Sequence, residues 1–337
     1  MARAAARAVL LAGLLATVPV ACGGADDSGD GHSASLAAVI KGLDNPYFVT
    51  MHEGLERTAR ARGAPLSIRT AADLFDTAGQ ASKLEAAAAE HADCYIVNPI
   101  NRANLVEPLG HLERGTPIVN IDSPVDQMAA DAVDAAITTY IGTDNVAGGR
   151  LGAEAIAQAL PAGARVVVVT GVPGDATSNA RASGFRSGSR GRFRIARSVA
   201  ADFDRQRAQL AAAELLRTDP KIQGFFAVND EMALGIADAL RTAGRSGELP
   251  VVGFDGTRPA LRAVMRGELT ATVSQYPYVI GQLGVEACLA AARGRSVPSV
   301  VDAPVQVVAK TNVARALANF PLPVERFDDP LAELLEG

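Results

Sequence analysis

Residues 36–40, Leu-Ala-Ala-Val-Ile, form an uninterrupted apolar run of the kind a strand covered on both faces shows. A short loop follows, and then Asn45 and Pro46 stand where a helix N-cap and first helical residue should be. Met51, Leu55 and Ala59 recur at helical spacing, and Gly63 suits the left-handed position that ends a helix. The same alternation continues. Strands are predicted over 65–69, 94–97 and 117–121, with helices over 77–91 and 104–113 between them. A β-branched run over 135–141 leads into Gly142-Thr143-Asp144-Asn145, after which a second series begins. Its helices are predicted over 146–160, 177–186, 205–217, 231–241, 259–266 and 278–293, the fourth capped by Asp230. Its strands are predicted over 165–170, 195–199, 224–228, 250–252 and 270–274. One further strand, 305–308, precedes an acidic tail with three prolines. Alternating strands and helices imply parallel sheets with right-handed crossovers, and two series of similar size imply two doubly wound α/β lobes.

Polar residues recur at the predicted carboxyl ends of the strands: Asn45, Asp122, Asn229, Asp255 and Gln275. Open α/β sheets bind small molecules at that edge, so two facing lobes would make a cleft lined by these groups. The loop after the first strand adds Lys41, Tyr47 and Phe48. A cation, an amide and two rings suit a polyhydroxylated ligand; the plainer alternative is that the rings are core and Asn45 only caps.

The chain of 337 residues allows one large or two ordinary domains, and at 48% hydrophobic it can bury a sizeable core. A formal net charge of -5 argues against a nucleic-acid surface. The four histidines are isolated and no metal-ligand spacing occurs, so no metal or cofactor is expected. Gly148-Gly149 lacks the strand–Gly-x-Gly-x-x-Gly–helix context of a dinucleotide site.

The first residues read as an export signal: Arg3 and Arg7, then an apolar stretch over 8–18 too short to span a bilayer. Pro19-Val20-Ala21-Cys22-Gly23 resembles the lipobox of bacterial lipoproteins, which implies lipid attachment at Cys22, although that motif prefers Leu where Pro19 stands. Residues 23–35 are a polar tether. Of the remaining cysteines, Cys94 and Cys288 sit in apolar settings; two buried free thiols are the expected state, and an exported chain could instead pair them.

Four stretches in order, Lys41-Gly-Leu-Asp-Asn-Pro-Tyr-Phe48, Ala201-Asp-Phe-Asp-Arg205, Asn229-Asp-Glu-Met-Ala-Leu-Gly235 and Val252-Gly-Phe-Asp-Gly-Thr257, make the chain resemble the periplasmic sugar-binding proteins of the ribose and allose type. The resemblance runs from about Leu36 to Lys310. It implies the type I periplasmic binding fold: two Rossmann-like lobes joined by three crossovers, near Thr143-Asp144, Gln275-Tyr276 and Ala303-Pro304. The first lobe is then 36–143 plus 276–303, the second 144–275 plus 304–315, with a tail over 316–337. By the same resemblance Asn45, Tyr47, Phe48 and Asp122 contact the sugar from the first lobe, and Phe203, Asn229, Asp255 and Gln275 from the second lobe and hinge. Lys41 stands where ribose binders have Ser and allose binders Lys, which favours a hexose or a sugar alcohol. Ribose binders also carry Arg where this chain has Ser123, and a sugar-contacting Arg where it has Asn179, with Arg181 close enough to substitute.

The function implied is a non-catalytic, monomeric binding subunit of an ABC-type sugar importer. It is exported to the periplasm or anchored outside the cytoplasmic membrane, and it hands its sugar to a permease. A sugar-responsive repressor would need a basic helix-turn-helix before residue 36, where the export signal and tether lie. Presentation of the sugar to a chemosensor is compatible with the import role. An enzyme would need a nucleophile and base, and no Gly-x-Ser-x-Gly, P-loop or His-Glu-x-x-His is present.

Overall fold

The structure, a computed structural model, describes Met1 and residues 33–336. The export signal, Cys22 and most of the tether fall outside the described residues. Leu36–Ile40 (β1) is buried at every position. It is flanked by Leu66–Thr70 (β2) on one side and Cys94–Val97 (β3) on the other, with Leu36 opposite both Leu66 and Cys94. Ile118–Ile121 (β4) and Thr139–Gly142 (β5) extend the sheet beyond β3.

The second sheet is centred on Arg165–Thr170 (β6), between Arg194–Ala200 (β7) and Gly224–Ala227 (β8). Val251–Asp255 (β9) and Ala271–Ser274 (β10) continue it. Val300–Asp302 (β11) pairs with β5, and Gln306–Ala309 (β12) lies antiparallel beside β10; every other pairing in the two sheets is parallel. The chain therefore passes between sheets after β5, after β10 and between β11 and β12. In each sheet the order reverses beside its central strand, which leaves a crevice at the strands' carboxyl ends.

The helices of the first lobe are Pro46–Ala61 (α1), Thr77–Ala88 (α2), Val106–Leu109 (α3) and Gln127–Ala132 (α4). Those of the second are Asn145–Ala157 (α5), Ala176–Gly188 (α6), Arg205–Thr218 (α7), Asp230–Thr242 (α8) and Arg258–Arg266 (α9). Pro277–Ala292 (α10) returns to the first lobe, where Gly281 and Gly54 let it lie against α1: a Cβ on Gly54 would meet the Tyr278 carbonyl at 2.2 Å. Gly149 is there for a similar reason, since a Cβ would meet the Arg181 carbonyl at 2.1 Å where α5 crosses α6.

Several expectations need correction. The helix predicted over 104–113 shrinks to α3, because Asn101 and Asn104 spend their side chains on loop backbone and hold the preceding residues in turns. The pattern reading has no element over α4, although Asp126 caps it in ordinary fashion. Asp230 does not cap α8; Asn229 does, accepting from the Met232 amide, and Asp230 is the first helical residue. Asp230 is instead fully buried and accepts from the Thr257 amide and from the hydroxyls of Thr257 and Thr272, which ties α8 to β10 and to the start of α9. Cys94 and Cys288 are not free thiols: they form a disulfide joining β3 to α10 across 194 residues.

The boundary expected at 315/316 falls inside Val313–Asn319 (α11). From there Val313, Ala316 and Val324 pack into the second lobe's core, whereas Phe327 and the fully buried Leu331 pack into the first lobe's. The last segment of the chain thus spans both lobes. On the way the Val324 amide donates to the Tyr276 hydroxyl, which itself donates to Gln306 Oε1 at 2.7 Å.

Candidate ligand-binding site

Ten of the eleven side chains singled out in the sequence line one cavity between the lobes. Lys41, Asn45, Tyr47, Phe48 and Asp122 come from the first lobe; Arg181, Phe203, Asn229 and Asp255 come from the second; Gln275 sits at a crossing. Asn179 is the exception. It lies on an exposed position of α6, and Arg181, two residues on and pointing the other way, reaches the cavity. Leu74, Ser123 and Thr177 complete the lining. Thr177 stands in the first turn of α6, just beyond the loop after β6, so attention to strand ends comes close to it; Leu74 carries no such signal.

In the first lobe Asp122 is held at φ 60, a left-handed conformation that few non-glycine residues adopt. The Tyr140 hydroxyl donates to its carbonyl at 2.7 Å, which fixes that turn. Its carboxylate accepts from the Tyr47 hydroxyl at 2.9 Å and from the Ser123 hydroxyl at 3.3 Å, while Lys41 Nζ donates to Ser123 Oγ at 2.6 Å. A cation thus reaches Asp122 through Ser123. Burial, and then the charge of Asp122, hold the Tyr47 phenol well above its usual range, so it stays a donor. Tyr47 and Phe48 meet edge to face at 5.1 Å, and both also belong to the lobe's core. Asn45 caps α1 through its oxygen, accepting from the Tyr47 amide at 2.9 Å.

In the second lobe Arg181 is 4% exposed. Its guanidinium donates to Asn145 Oδ1 at 2.7 Å, to the Val228 carbonyl at 2.8 Å and to Asp255 Oδ1 at 3.3 Å, and it lies 4.1 Å from the Phe254 ring centre. Asp255 also accepts from Gln275 Nε2 at 2.6 Å. Burial pushes the Asp255 carboxyl up to about 7 against the opposing pull of Arg181 and Gln275. Phe203, at φ 62, turns its ring over Gly171, where a Cβ would stand 2.2 Å from the ring, so only glycine fits beneath it. The cavity balances two cations, Lys41 and Arg181, against two carboxylates, Asp122 and Asp255, and so suits an uncharged ligand rich in hydroxyls.

A model of the periplasmic binding protein domain matches residues 36–296. The chain belongs to that family. It is 32% identical over 282 residues to the ribose import binding protein of Bacillus subtilis, covering 83% of this chain and 89% of that one. The D-allose-binding periplasmic protein of Escherichia coli is 32% identical over 278 residues, covering 81% and 89%. Among solved structures, an ABC transporter solute-binding protein of Actinobacillus succinogenes with bound D-allose superposes with a TM-score of 0.78 at 28% identity, covering 84% of this chain and 99% of that one. A solute-binding protein of Agrobacterium vitis with bound α-D-tagatopyranose matches with a TM-score of 0.78 at 28% identity, covering 86% and 99%. Two α/β lobes with parallel sheets are what these periplasmic binding proteins share with this chain.

Proposed function

We propose that this protein is the extracytoplasmic, non-catalytic binding subunit of an ABC-type importer, closing its lobes on one monosaccharide, a hexose or sugar alcohol, for delivery to a membrane permease. One observation carries the reading: two carboxylates, one from each lobe, face a common cavity between rings from each lobe. A sugar has apolar C–H faces and a hydroxyl rim. Phe48 and Phe203 suit the faces, and Asp122, Asp255, Arg181, Asn229 and Gln275 suit the rim. Charge-assisted hydrogen bonds of about 1.5–3 kcal/mol each favour such pairing, and desolvation and closure consume part of the gain. Because the groups are divided between lobes, only a ligand touching both stabilises the closed form. The relatives named for ribose and allose, and the allose- and tagatose-bound structures, support the ligand class. Lys41 favours the hexose side of it.

A thermal-shift screen over aldopentoses, aldohexoses, ketoses and alditols tests the proposal. A true ligand at about 100 times its Kd adds roughly 2.7 kcal/mol, a rise of roughly 4 °C for a chain of this size. A panel in which no polyol raises Tm overturns the ligand class. The same reading anchors the protein through a lipid on Cys22. Cys22→Ala is then expected to move it from the membrane to the soluble fraction, and unchanged fractionation removes the anchor.

A further inference from the structure

The sugar cavity opens outward into a second, larger chamber. The inner cavity holds about 40 Å³, and the outer one about 390 Å³. Lys41, Leu74, Ser123, Thr177 and Phe203 border both. At roughly 10–15 Å³ for each water, the inner space takes about three, and the outer one takes many more. The outer volume is that of a small-molecule pocket in its own right.

Two pinned loops, one from each lobe, face each other across the chamber. The first presents Phe75. Its amide donates to Asp73 Oδ1 at 2.7 Å, and Asp76 accepts from the Ala72 amide at 2.9 Å and the Gly79 amide at 3.0 Å, which fixes the loop at both ends. The Phe75 ring is 62% exposed and belongs to neither lobe's core, in a chain with 4% aromatics. The second loop presents Val172 and Pro173. It is held by the Gly171 amide donating to Ser178 Oγ at 2.9 Å and the Asp175 amide donating to the Val172 carbonyl at 3.0 Å.

Part of the polar lining of this chamber is already engaged. Asp175 Oδ1 accepts from the Thr177 hydroxyl and the Ser178 amide, both at 2.7 Å. Asn101 Oδ1 accepts from the amides of Ala103 and Asn104, and Arg102 pairs with Asp126 at 3.7 Å. An apolar group finds Phe75, Pro124, Val172 and Pro173.

From this we infer that the protein accepts its sugar as a glycoside whose apolar aglycone, aryl or alkyl, occupies the outer chamber between Phe75 and Val172. The inference rests on the sugar-binding reading and names the substrate class more closely. The aglycone contributes by leaving water, and it is clasped only when the lobes close, since its walls come from both.

Calorimetric titration of the purified protein decides the matter. The probes are D-allose, D-ribose, D-galactose and D-glucose, each free and as its methyl and phenyl α- and β-glycosides. At least one phenyl glycoside is expected to bind tenfold or more tightly than its parent sugar, with the methyl glycoside gaining little. Phe75→Ser and Val172→Asn are each expected to lose most of that gain while holding affinity for the free sugar within twofold; Phe75 is exposed, so the fold does not depend on it. If a free sugar binds and its phenyl glycosides bind no better, or if neither substitution touches the gain, the outer chamber is not an aglycone site and the inner site stands. If no probe binds in either form, the sugar-binding reading itself falls and takes the inference with it.

Discussion

Asp255 is a buried carboxylate with one strong cationic neighbour, and its raised proton affinity follows from burial exceeding what Arg181 and Gln275 supply. A sugar hydroxyl donates to the ionised form. Binding therefore requires proton release whenever the empty site is protonated. Affinity is expected to weaken as pH falls below about 7, approaching tenfold per unit, and Asp255→Asn is expected to abolish the dependence. Titration from pH 8 to 5.5, in buffers of differing ionisation enthalpy, reads both the slope and the released proton. Asp122 lies in the other lobe, where its carboxylate accepts from the Tyr47 and Ser123 hydroxyls. Asp122→Asn keeps the shape and tolerates the left-handed backbone, so the fold should persist while sugar affinity drops roughly 10- to 150-fold, the value of one charge-assisted bond. Wild-type affinity in this variant would remove Asp122 from the site. The same residue scale explains why Asn229 and Asp230 exchange roles relative to expectation. Both residue types cap helices, and adjacent candidates differ by only tenths of a kcal/mol in local preference. The buried threonines at 257 and 272 decide the matter by claiming Asp230.

Among the elements, α10 carries the most cross-chain obligations. It is buried against α1, it holds half of the disulfide, and its Glu286 is 2% exposed beside Arg62 at 2.9 Å. Burial, and then the neighbouring Asp329 carboxyl, push Glu286 up to about 7, with Arg62 opposing. A folded-state value above the ordinary 4.5 makes the protonated form the favoured one in the native protein. Its contribution to stability is full below 4.5 and is lost as pH rises through about 7. Glu286→Gln is therefore expected to flatten the fall in Tm between pH 5 and pH 8; an unchanged Tm profile would count against the assignment. The disulfide closes a loop of 194 residues between β3 and α10. Replacing both cysteines with Ala should cost about 2–5 kcal/mol, read from denaturant midpoints. No periodicity reveals that pairing, because two apolar stretches so distant in sequence meet only through the packing of α10 over β3. Strands β3 and β6 carry the expected limits because buried parallel strands leave unbroken apolar runs.

At the scale of the whole molecule, three passages join the lobes and the last segment bridges them a fourth time. Tyr276 lies at one passage in a left-handed conformation at φ 51, and the tail's Val324 donates to its hydroxyl. The tail is thus positioned to steady the hinge as well as to cover core. Leu331→Ala should destabilise by about 2–5 kcal/mol, as for other fully buried leucines. Truncation after Asn319 should lower Tm at least as much, and an unaltered Tm would show that the bridge contributes nothing to stability. Composition alone hides this role: residues 320–336 read as an acidic, proline-rich tail, and only two lobes already in place offer the apolar sites that Phe327 and Leu331 fill.

The amino-acid sequence by itself determined the strand–helix alternation, the division into two series and the polar residues at strand carboxyl ends, because these are local patterns set by burial period and capping chemistry. Eight site residues were legible there because strand ends in such folds face one crevice, whereas Phe203 and Arg181 came only from the family resemblance. Tertiary structure alone decided that Arg181 rather than Asn179 turns inward, that Cys94 meets Cys288, that Asp230 serves the core, and that a larger chamber opens beyond the inner cavity. Each of those depends on which surfaces, far apart in the chain, come to lie together, and no local pattern encodes that distance.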